Sequence, residues 1–575
     1  MTRGAETKTQ TAKRFVSRVT LISVLFVAAG ASLVARAVHL QVFNTDFLNQ
    51  QADSRHLRTE SITAHRGTIT DRNGEPLAIS TPVDSVWANP KELALAEDKM
   101  PQLARALGLD EQSLIRQITF SMNKEFVYLK RHLSPDKAAE VMALKLPGVN
   151  IQREYRRYYP AGEVTGHLVG FTNIDDKGLE GLELAYDYWL AGESGAKRVL
   201  KDRLGRAVEN VESIRPPHHG KELRTSIDLR IQYVAYRALK SAIRENNAES
   251  GSIVVLDTQT GEVLAVANQP SYNPNDRSQF IAERYRNRAI TDIFEPGSSI
   301  KPLVVTAALE SGEYQANSIV DTAPGYVTVG AKTIEDPRNL GRISLTTILA
   351  RSSNVGMTKV AMTMEPRDMW GTLLHFGLGS LTGSGFPGES AGTLTHHDHW
   401  KPINQATLSY GYSLSVTPLQ LAQAYAIIGN KGIGHPISLT ALDEPGPGEQ
   451  LVSPDSANAV RRMLEEVVRP GGTATGAAVD GYRVAGKTGT SWKFAAGGYS
   501  EDKYISVFAG LAPASNPRLA TVVVIDEPSG DKYYGGDVAA PVFADIMSES
   551  LRMLAVPPDA LPAREPNSTM QAMGK

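Results

Sequence analysis

GYRVAGKTGT, residues 481–490, has two readings that lead to different folds. Its first eight letters match the phosphate-binding pattern G-x-x-x-x-G-K-[ST], with Gly481, Gly486, Lys487 and Thr488 in place. A phosphate loop needs a flexible turn after a strand and a helix that starts at the lysine. Tyr482-Arg483-Val484-Ala485 favours a strand instead, and Gly489-Thr490-Ser491-Trp492 does not start a helix. The stretch is therefore read as a strand, and no nucleotide is expected. That reading puts Lys487 and Thr488 on an exposed sheet edge. Gly489 lets a ligand backbone come close there, so an extended peptide could add itself as a further strand.

The surrounding chain bounds what such an edge can belong to. Its 575 residues exceed one ordinary core, so two or three domains are expected. With 42% hydrophobic and 21% charged residues it reads as folded. Basic and acidic side chains number 60 and 62, a net charge of -2, which gives no electrostatic case for a nucleic-acid partner. Cysteine is absent, which excludes disulfides, zinc-thiolate sites and cysteine nucleophiles.

From Val19 to Ala35 no charged residue occurs, and the apolar run approaches the roughly 20 residues that span a bilayer. Arg3, Lys8, Lys13, Arg14 and Arg18 precede it against a single Glu6. The positive-inside rule then leaves residues 1–18 as a cytoplasmic tail and exports everything after the span. Ala29-Gly30-Ala31 would permit cleavage, but the run continues through Leu33 and Val34 to Arg36, so an uncleaved anchor over 19–38 is expected. Residues 55–215 read as a pedestal of structural support, with Asp71-Arg72-Asn73-Gly74 as a tight turn between β-rich runs and helical patterns at Pro101–Leu107 and Pro135–Leu144. Arg215-Pro216-Pro217-His218-His219-Gly220 is a linker. From 223 to 555 strands and long helices alternate, starting with a hairpin at Ser252–Asn268. Residues 556–575 read as a disordered tail.

Three short patterns carry the chemistry. In FEPGSSIKPLVVTAALE, Phe294 to Glu310, the apolar run predicts a helix whose first turn holds Ser298 and Lys301 on one face. A serine hydroxyl needs a base, and a lysine serves only if burial or a neighbouring cation lowers its pKa. S-x-x-K also occurs at Ser121, Ser134, Ser194, Ser500 and Ser529, in polar settings without an apolar helix behind them. Ser352-Ser353-Asn354 opens another helical run, where Ser352 could relay a proton and Asn354 donate to a peptide carbonyl; equally, these are ordinary helix N-cap residues. The lysine of the opening stretch is the third. His396-His397-Asp398-His399 resembles a metal cluster, but as adjacent loop histidines without a second ligand motif they are read as solvent-exposed, and no metal is expected.

S-x-x-K, S-x-N and K-T-G standing in that order in one exported chain form the motif set of penicillin-binding proteins and class A β-lactamases. The sequence resembles the class B penicillin-binding proteins of the division type. It does so in HRGTITDRNGEPLA, RRYYPAGEVTGHLVGF, VLDTQTGEVLAVANQPSYNPN, FEPGSSIKP, RSSNVG, YGYSLSVTPLQLAQAYA and AGKTGT, spread over roughly residues 55 to 555. The resemblance implies an α/β (α+β) transpeptidase domain, an antiparallel sheet flanked by helices, on an elongated, mainly β N-terminal module with one transmembrane helix. It implies a periplasmic D,D-transpeptidase that cross-links peptidoglycan stem peptides in septal synthesis, without a cofactor, and that β-lactams inhibit covalently. Ser298 would be the nucleophile and Lys301 the base, with Lys487 helping to keep Lys301 neutral and Ser352 passing the proton to the leaving amine. Backbone N–H groups of Ser298 and Thr490 would form the oxyanion hole. Asn354 and the strand edge at Gly489 would orient the peptide, and Lys487, Thr488 and Thr490 would hold its carboxylate. Tyr412, Tyr533 and Tyr534 sit where related enzymes place aromatic walls. Trp492 stands where relatives often carry a basic residue, so carboxylate reading at that point departs from the pattern.

A β-lactamase would share the motifs but needs neither anchor nor pedestal. A penicillin-sensing receptor should carry several membrane segments and a metalloprotease motif. A catalytically idle scaffold of the division complex would have no use for Ser298, Lys301 and Lys487. The pedestal shows no acidic motif for a glycosyltransferase, so the resemblance implies an FtsW-type glycan polymerase and other division proteins as partners.

Overall fold

Ser250–Asp257 (β1) and Val263–Gln269 (β2) are buried at every position, which a strand achieves only when its sheet is covered on both faces. In the computed structural model, which describes residues 4–43, 57–201, 207–278, 281–495 and 498–560, these strands pair antiparallel as the expected hairpin, with Val254 opposite Val266. They belong to a five-stranded sheet completed by Ala485–Ala495 (β3), Gly498–Ala512 (β4) and Leu519–Asp526 (β5). The order is β2-β1-β5-β4-β3 and every neighbour is antiparallel. The strand predicted from the opening stretch is thus an edge strand.

Two helix layers cover the sheet. Leu229–Glu245 (α2) and Ala540–Met553 (α8) pack on each other and on the strands. Pro418–Gly429 (α6) and Pro454–Val468 (α7) pack together against β1, β3, β4 and β5 from the other side. Helix α6 is buried almost throughout, because its sequence is apolar apart from Gln420 and Gln423, and Gln420 is satisfied by the cap with Thr417.

By compactness the chain divides into two units. The first comprises 1–64, 83–154 and 193–219. It contains an antiparallel sheet of Leu57–Ile62, Gly195–Lys201 and Ala207–Arg215, the pairing of the 84–88 segment with Val127–Leu133, and a core in which Met100–Leu107, Glu111–Phe120 and Pro135–Ala143 supply helical faces. Its N-terminal element, Gly4–Val38 (α1), continues through a π-helical turn, His39–Phe43, and the span Arg14–Phe43 is apolar, unburied and long enough to cross a bilayer. The second unit holds 65–82, 155–192 and 220–575. Here the turn at Asp71 closes as expected, Gly74 N–H donating to Asp71 O (3.1 Å), with Ile69 paired to Ala78. Beneath it Arg66 bonds Glu183 (2.5 Å) and Asp187 (2.6 Å), and Arg157 bonds Glu183 (2.6 Å); Arg66, Arg157 and Glu183 are all buried.

The stretch expected to begin a disordered tail at residue 556 is ordered as far as Ala560. Arg483 N–H donates to Asp559 Oδ1 (2.7 Å), Ser515 N–H to Asp559 Oδ2 (2.9 Å), and Ala560 N–H to Gly481 O (3.0 Å). An acidic side chain that caps two backbone donors holds a segment whose composition alone reads as loose. The rest of that expected tail, 561–575, and residues 1–3 of the expected cytoplasmic tail lie outside the described residues.

Candidate active site

Gly297–Ile300 forms a 3-10 turn that runs directly into Lys301–Glu310 (α3). Side chains three apart eclipse in such a turn, so Ser298 and Lys301 share a face, as predicted. The turn is buttressed from below by Tyr425 on α6, whose hydroxyl donates to Ser299 O (2.8 Å). Lys301 is completely buried, while Ser298 is half-buried.

Lys301 Nζ does not engage Ser298. It donates to Ser352 O (2.6 Å), Ser352 Oγ (3.3 Å) and Asn354 Oδ1 (2.7 Å). Burial first, then the charge of Lys487, pushes its pKa well below the ordinary lysine value, against a smaller opposing pull from Asp336.

Ser352 does not start a helix. It ends Leu345–Arg351 (α4) in the left-handed region, at φ 58° and ψ 38°. Ser353 is the N-cap of Asn354–Ala361 (α5), its Oγ accepting from Gly356 N–H (2.8 Å). The capping role that the sequence left open for the whole tripeptide thus falls to the middle residue, and Ser352 and Asn354 are free to face Lys301. Asp336 fixes this corner. It accepts from Ser353 Oγ (2.5 Å), Asn354 N–H (2.6 Å) and Val355 N–H (3.2 Å), an acid at a helix N-terminus.

On the sheet edge, Lys487 Nζ donates to Ser352 Oγ (3.1 Å), Thr488 O (3.1 Å) and Thr488 Oγ1 (3.3 Å). The expectation that Lys487 and Thr488 lie exposed on that edge is corrected here: Lys487 is fully buried and Thr488 is 8% exposed. The edge faces the Ser298 turn, α7 packs behind it, and burial pushes the Lys487 pKa down to about 7. Thr488 Oγ1 also pairs with Thr473 Oγ1 (2.9 Å), and Thr490 Oγ1 accepts from Gly535 N–H (3.1 Å).

The seam between strand and turn is made of glycine. A Cβ on Gly489 would come 2.6 Å from Pro296 O, and one on Gly411 would come 1.9 Å from Gly297 O. Gly535 lies equally close to Gly489 O, where a Cβ would come to 2.4 Å. Gly297 itself sits at φ 53° and donates to Gly411 O (3.1 Å).

The predicted aromatic residues separate into two groups. Tyr412 meets Tyr499 edge-on (ring centroids 5.6 Å) and Trp492 (6.3 Å), beyond Thr490 along β3; burial pushes its hydroxyl up to about 12. Tyr533 stacks on Tyr504 (4.2 Å) and meets Tyr534 at a tilt (4.4 Å), just ahead of Gly535. Tyr534 is exposed. His396 and His397 turn their Nδ1 atoms toward Asp398 (3.3 and 3.2 Å) beneath Trp370, on an exposed turn.

Asp336, Thr473, Tyr425 and Glu295, whose carboxyl accepts from Tyr499 and Ser413, belong to the site's surroundings but no motif points to them. Asp336 reaches the start of α5 across an intervening strand, Arg342–Ser344, and helix α4, so no local pattern ties it to the cap.

Residues 251–548 match the family model of the penicillin binding protein transpeptidase domain, and residues 61–225 that of the penicillin-binding protein dimerisation domain. Over 99% of both chains the sequence is 44% identical to the peptidoglycan D,D-transpeptidase FtsI of Escherichia coli (strain K12). It is also 44% identical to a probable peptidoglycan D,D-transpeptidase, PbpC, of Pseudomonas aeruginosa, over 95% of this chain and 96% of that one. Among solved structures, a peptidoglycan synthetase from Bifidobacterium adolescentis superposes with a TM-score of 0.70 at 26% identity, covering 88% of this chain and 98% of that one. The transpeptidase domain of Burkholderia pseudomallei penicillin-binding protein 3 gives 0.54 at 42% identity, covering 59% of this chain and 98% of that one.

Proposed function

The chain belongs to the penicillin-binding protein transpeptidases, and on that premise we propose that it is a monofunctional D,D-transpeptidase that cross-links peptidoglycan stem peptides through an acyl-enzyme on Ser298. The observation that carries the assignment of roles is that Ser352 Oγ lies within hydrogen-bond reach of both Lys301 (3.3 Å) and Lys487 (3.1 Å). A hydroxyl shared by two buried amines can pass a proton from one side of the reacting carbonyl to the other.

In this mechanism Lys301, held neutral by burial and by the Lys487 charge, takes the Ser298 proton as Oγ attacks the carbonyl of the penultimate D-alanine. The oxyanion is received by the backbone N–H groups of Ser298 and Thr490; single donors of this kind are typically worth about 3 to 4 kcal/mol. Ser352 relays the proton to the amine of the terminal D-alanine, the C–N bond breaks, and D-alanine leaves. An amine of a second stem peptide then displaces Ser298 and forms the cross-link. Asn354 has its Oδ1 occupied by Lys301, so its amide N–H groups are left to hold the donor peptide. The peptide would lie along β3 at Gly489, with its carboxylate on Lys487, Thr488 and Thr490; Tyr412, Tyr533 and Tyr534 would wall the cleft. β-Lactams would acylate the same serine.

Helix α1 supports single-pass anchoring. The basic residues ahead of the span support a cytoplasmic N-terminus and a periplasmic catalytic unit. Septal synthesis with an FtsW-type polymerase and other division proteins as partners completes the reading. The test is labelling with fluorescent penicillin: the wild type takes a label that persists for hours, and Ser298→Ala takes none. An unlabelled wild type would sink the enzyme reading, and rapid release would turn it toward a β-lactamase.

A further inference from the structure

Beyond Thr490 the catalytic edge ends in an arrangement of which the mechanism uses Tyr412 alone, as a wall. Strand alternation puts Thr488, Thr490 and Trp492 on one face of β3. Trp492 is 48% exposed; its ring meets that of Tyr412, which in turn meets Tyr499 edge-on. Tyr499 reaches back from β4 to donate its hydroxyl to Glu295 Oε1 (3.0 Å), which also accepts from Ser413 N–H (2.9 Å). The other oxygen, Glu295 Oε2, is buried and has no partner among the described residues. Burial raises the Glu295 pKa, and the cation that acts on it, Lys332, does so without a hydrogen bond. Lys493, next to Trp492 but on the opposite face of the strand, is committed to Asp526 (2.9 Å) and Glu527 (2.7 Å).

A buried carboxylate oxygen without a donor is a standing cost that a cationic ligand would relieve. Exposed aromatic faces attract that same charge. An anion would be repelled by the carboxylate, and a neutral ring could stack on Trp492 but would leave Oε2 as it is. Direction along the strand then says which substrate. A donor peptide whose carboxylate sits at Lys487 and Thr488 runs upstream past Thr490 toward Trp492, two residues and roughly 7 Å further on.

We propose that Glu295, Tyr412, Trp492 and Tyr499 form a subsite for an ammonium group at the end of a side chain of the donor peptide, on the residue just ahead of the D-Ala-D-Ala pair. The subsite makes Trp492 a specificity residue: where a basic side chain would select a negative arm, the indole and the carboxylate behind it select a positive one. This rests on the transpeptidase reading.

The test uses the full chain in detergent and D-alanine release from two synthetic donors, Nα-acetyl-L-Lys-D-Ala-D-Ala and its Nε-acetylated counterpart. The wild type should prefer the free ammonium by about tenfold in kcat/KM, the scale of a partly desolvated cation on aromatic rings. Glu295→Gln and Trp492→Ala should each bring the ratio of the two donors toward one, and Trp492→Arg should invert it. Because the ratio is taken within each variant, partial loss of folded protein cancels. A wild-type ratio near one, or a preference that survives in both Glu295→Gln and Trp492→Ala, would overturn the subsite. A preference that appears only in transfer to an acceptor amine would overturn its assignment to the donor. A wild type that takes penicillin label but shows no preference loses the subsite alone, whereas absence of label removes the transpeptidase reading itself.

Discussion

Lys301 and Lys487 share one acceptor: both ammonium nitrogens lie within 3.3 Å of Ser352 Oγ, and both lysines are completely buried. Two like charges with burial around them cannot both stay protonated at ordinary cost. The pair is therefore poised to hold one proton fewer than two exposed lysines would.

The acylation profile should follow from that. Activity rises with pH as Lys301 gives up its proton, and falls again near pH 7 as Lys487 loses the charge that grips the carboxylate. Removing the neighbouring charge in Lys487→Met lifts the repulsion on Lys301, raises its pKa, and shifts the ascending limb to higher pH. The measurement is the second-order rate of fluorescent penicillin labelling across pH; an ascending limb that stays in place or moves down contradicts the coupling.

The same lysine should weaken the fold that carries it. Its folded pKa of about 7 lies below the ordinary 10.5, so between those values the unfolded chain binds a proton that the folded chain does not. Wild-type stability therefore rises with pH across that window and carries the full cost below it. Lys487→Met should be more stable in denaturant titration at pH 7, by up to a few kcal/mol at about 1.4 kcal/mol per pKa unit, with the advantage shrinking toward pH 10. Equal stabilities at both pH values would refute this.

Ser352 offers a substitution that separates hydroxyl from backbone. At φ 58° glycine is more comfortable than serine, so Ser352→Gly should keep or slightly raise the melting temperature. It should nonetheless slow acylation by about 10²- to 10⁴-fold, the range of a lost proton-transfer group. Near-normal acylation would remove Ser352 from the relay.

Asp336→Ala should cost about 1 to 2 kcal/mol of stability, because Asn354 and Val355 N–H lose their acceptor at the start of α5. The carboxylate also pulls the Lys301 pKa upward, so its loss should move the ascending limb of the acylation profile to lower pH, opposite in sign to Lys487→Met. A shift in the same direction for both variants would show that the limb belongs to another group.

The buried ion network makes a different kind of prediction. Glu183→Ala takes from buried Arg157 the carboxylate it pairs with and leaves Arg66 to Asp187 alone, which should destabilise the second unit by about 3 to 5 kcal/mol in denaturant unfolding. A change below about 1 kcal/mol would mean that the arginines find water or other partners.

What the sequence disclosed was local. The strand at Lys487, the Val254–Val266 hairpin and the helix behind Ser298 follow from alternation, turn residues and apolar periodicity, and all three are present. What it hid depended on distant chain. Alternation assigns Lys487 a face but cannot say what covers it. Ser352 and Ser353 are interchangeable as caps on paper, and only Asp336, brought in from another hairpin, decides between them. Glu295 lies 204 residues from Tyr499, so no window on the sequence brings the two together.

The glycine seam at Gly297, Gly411, Gly489 and Gly535 divides the site by how freely its history can be rewritten. Where main chain touches main chain, any added side chain forces elements apart, and the chemistry is lost before selectivity can change. The exposed rings of Trp492 and Tyr534 answer to no such constraint. Changes in which peptides or drugs this enzyme accepts therefore have room at the rim and none at the seam.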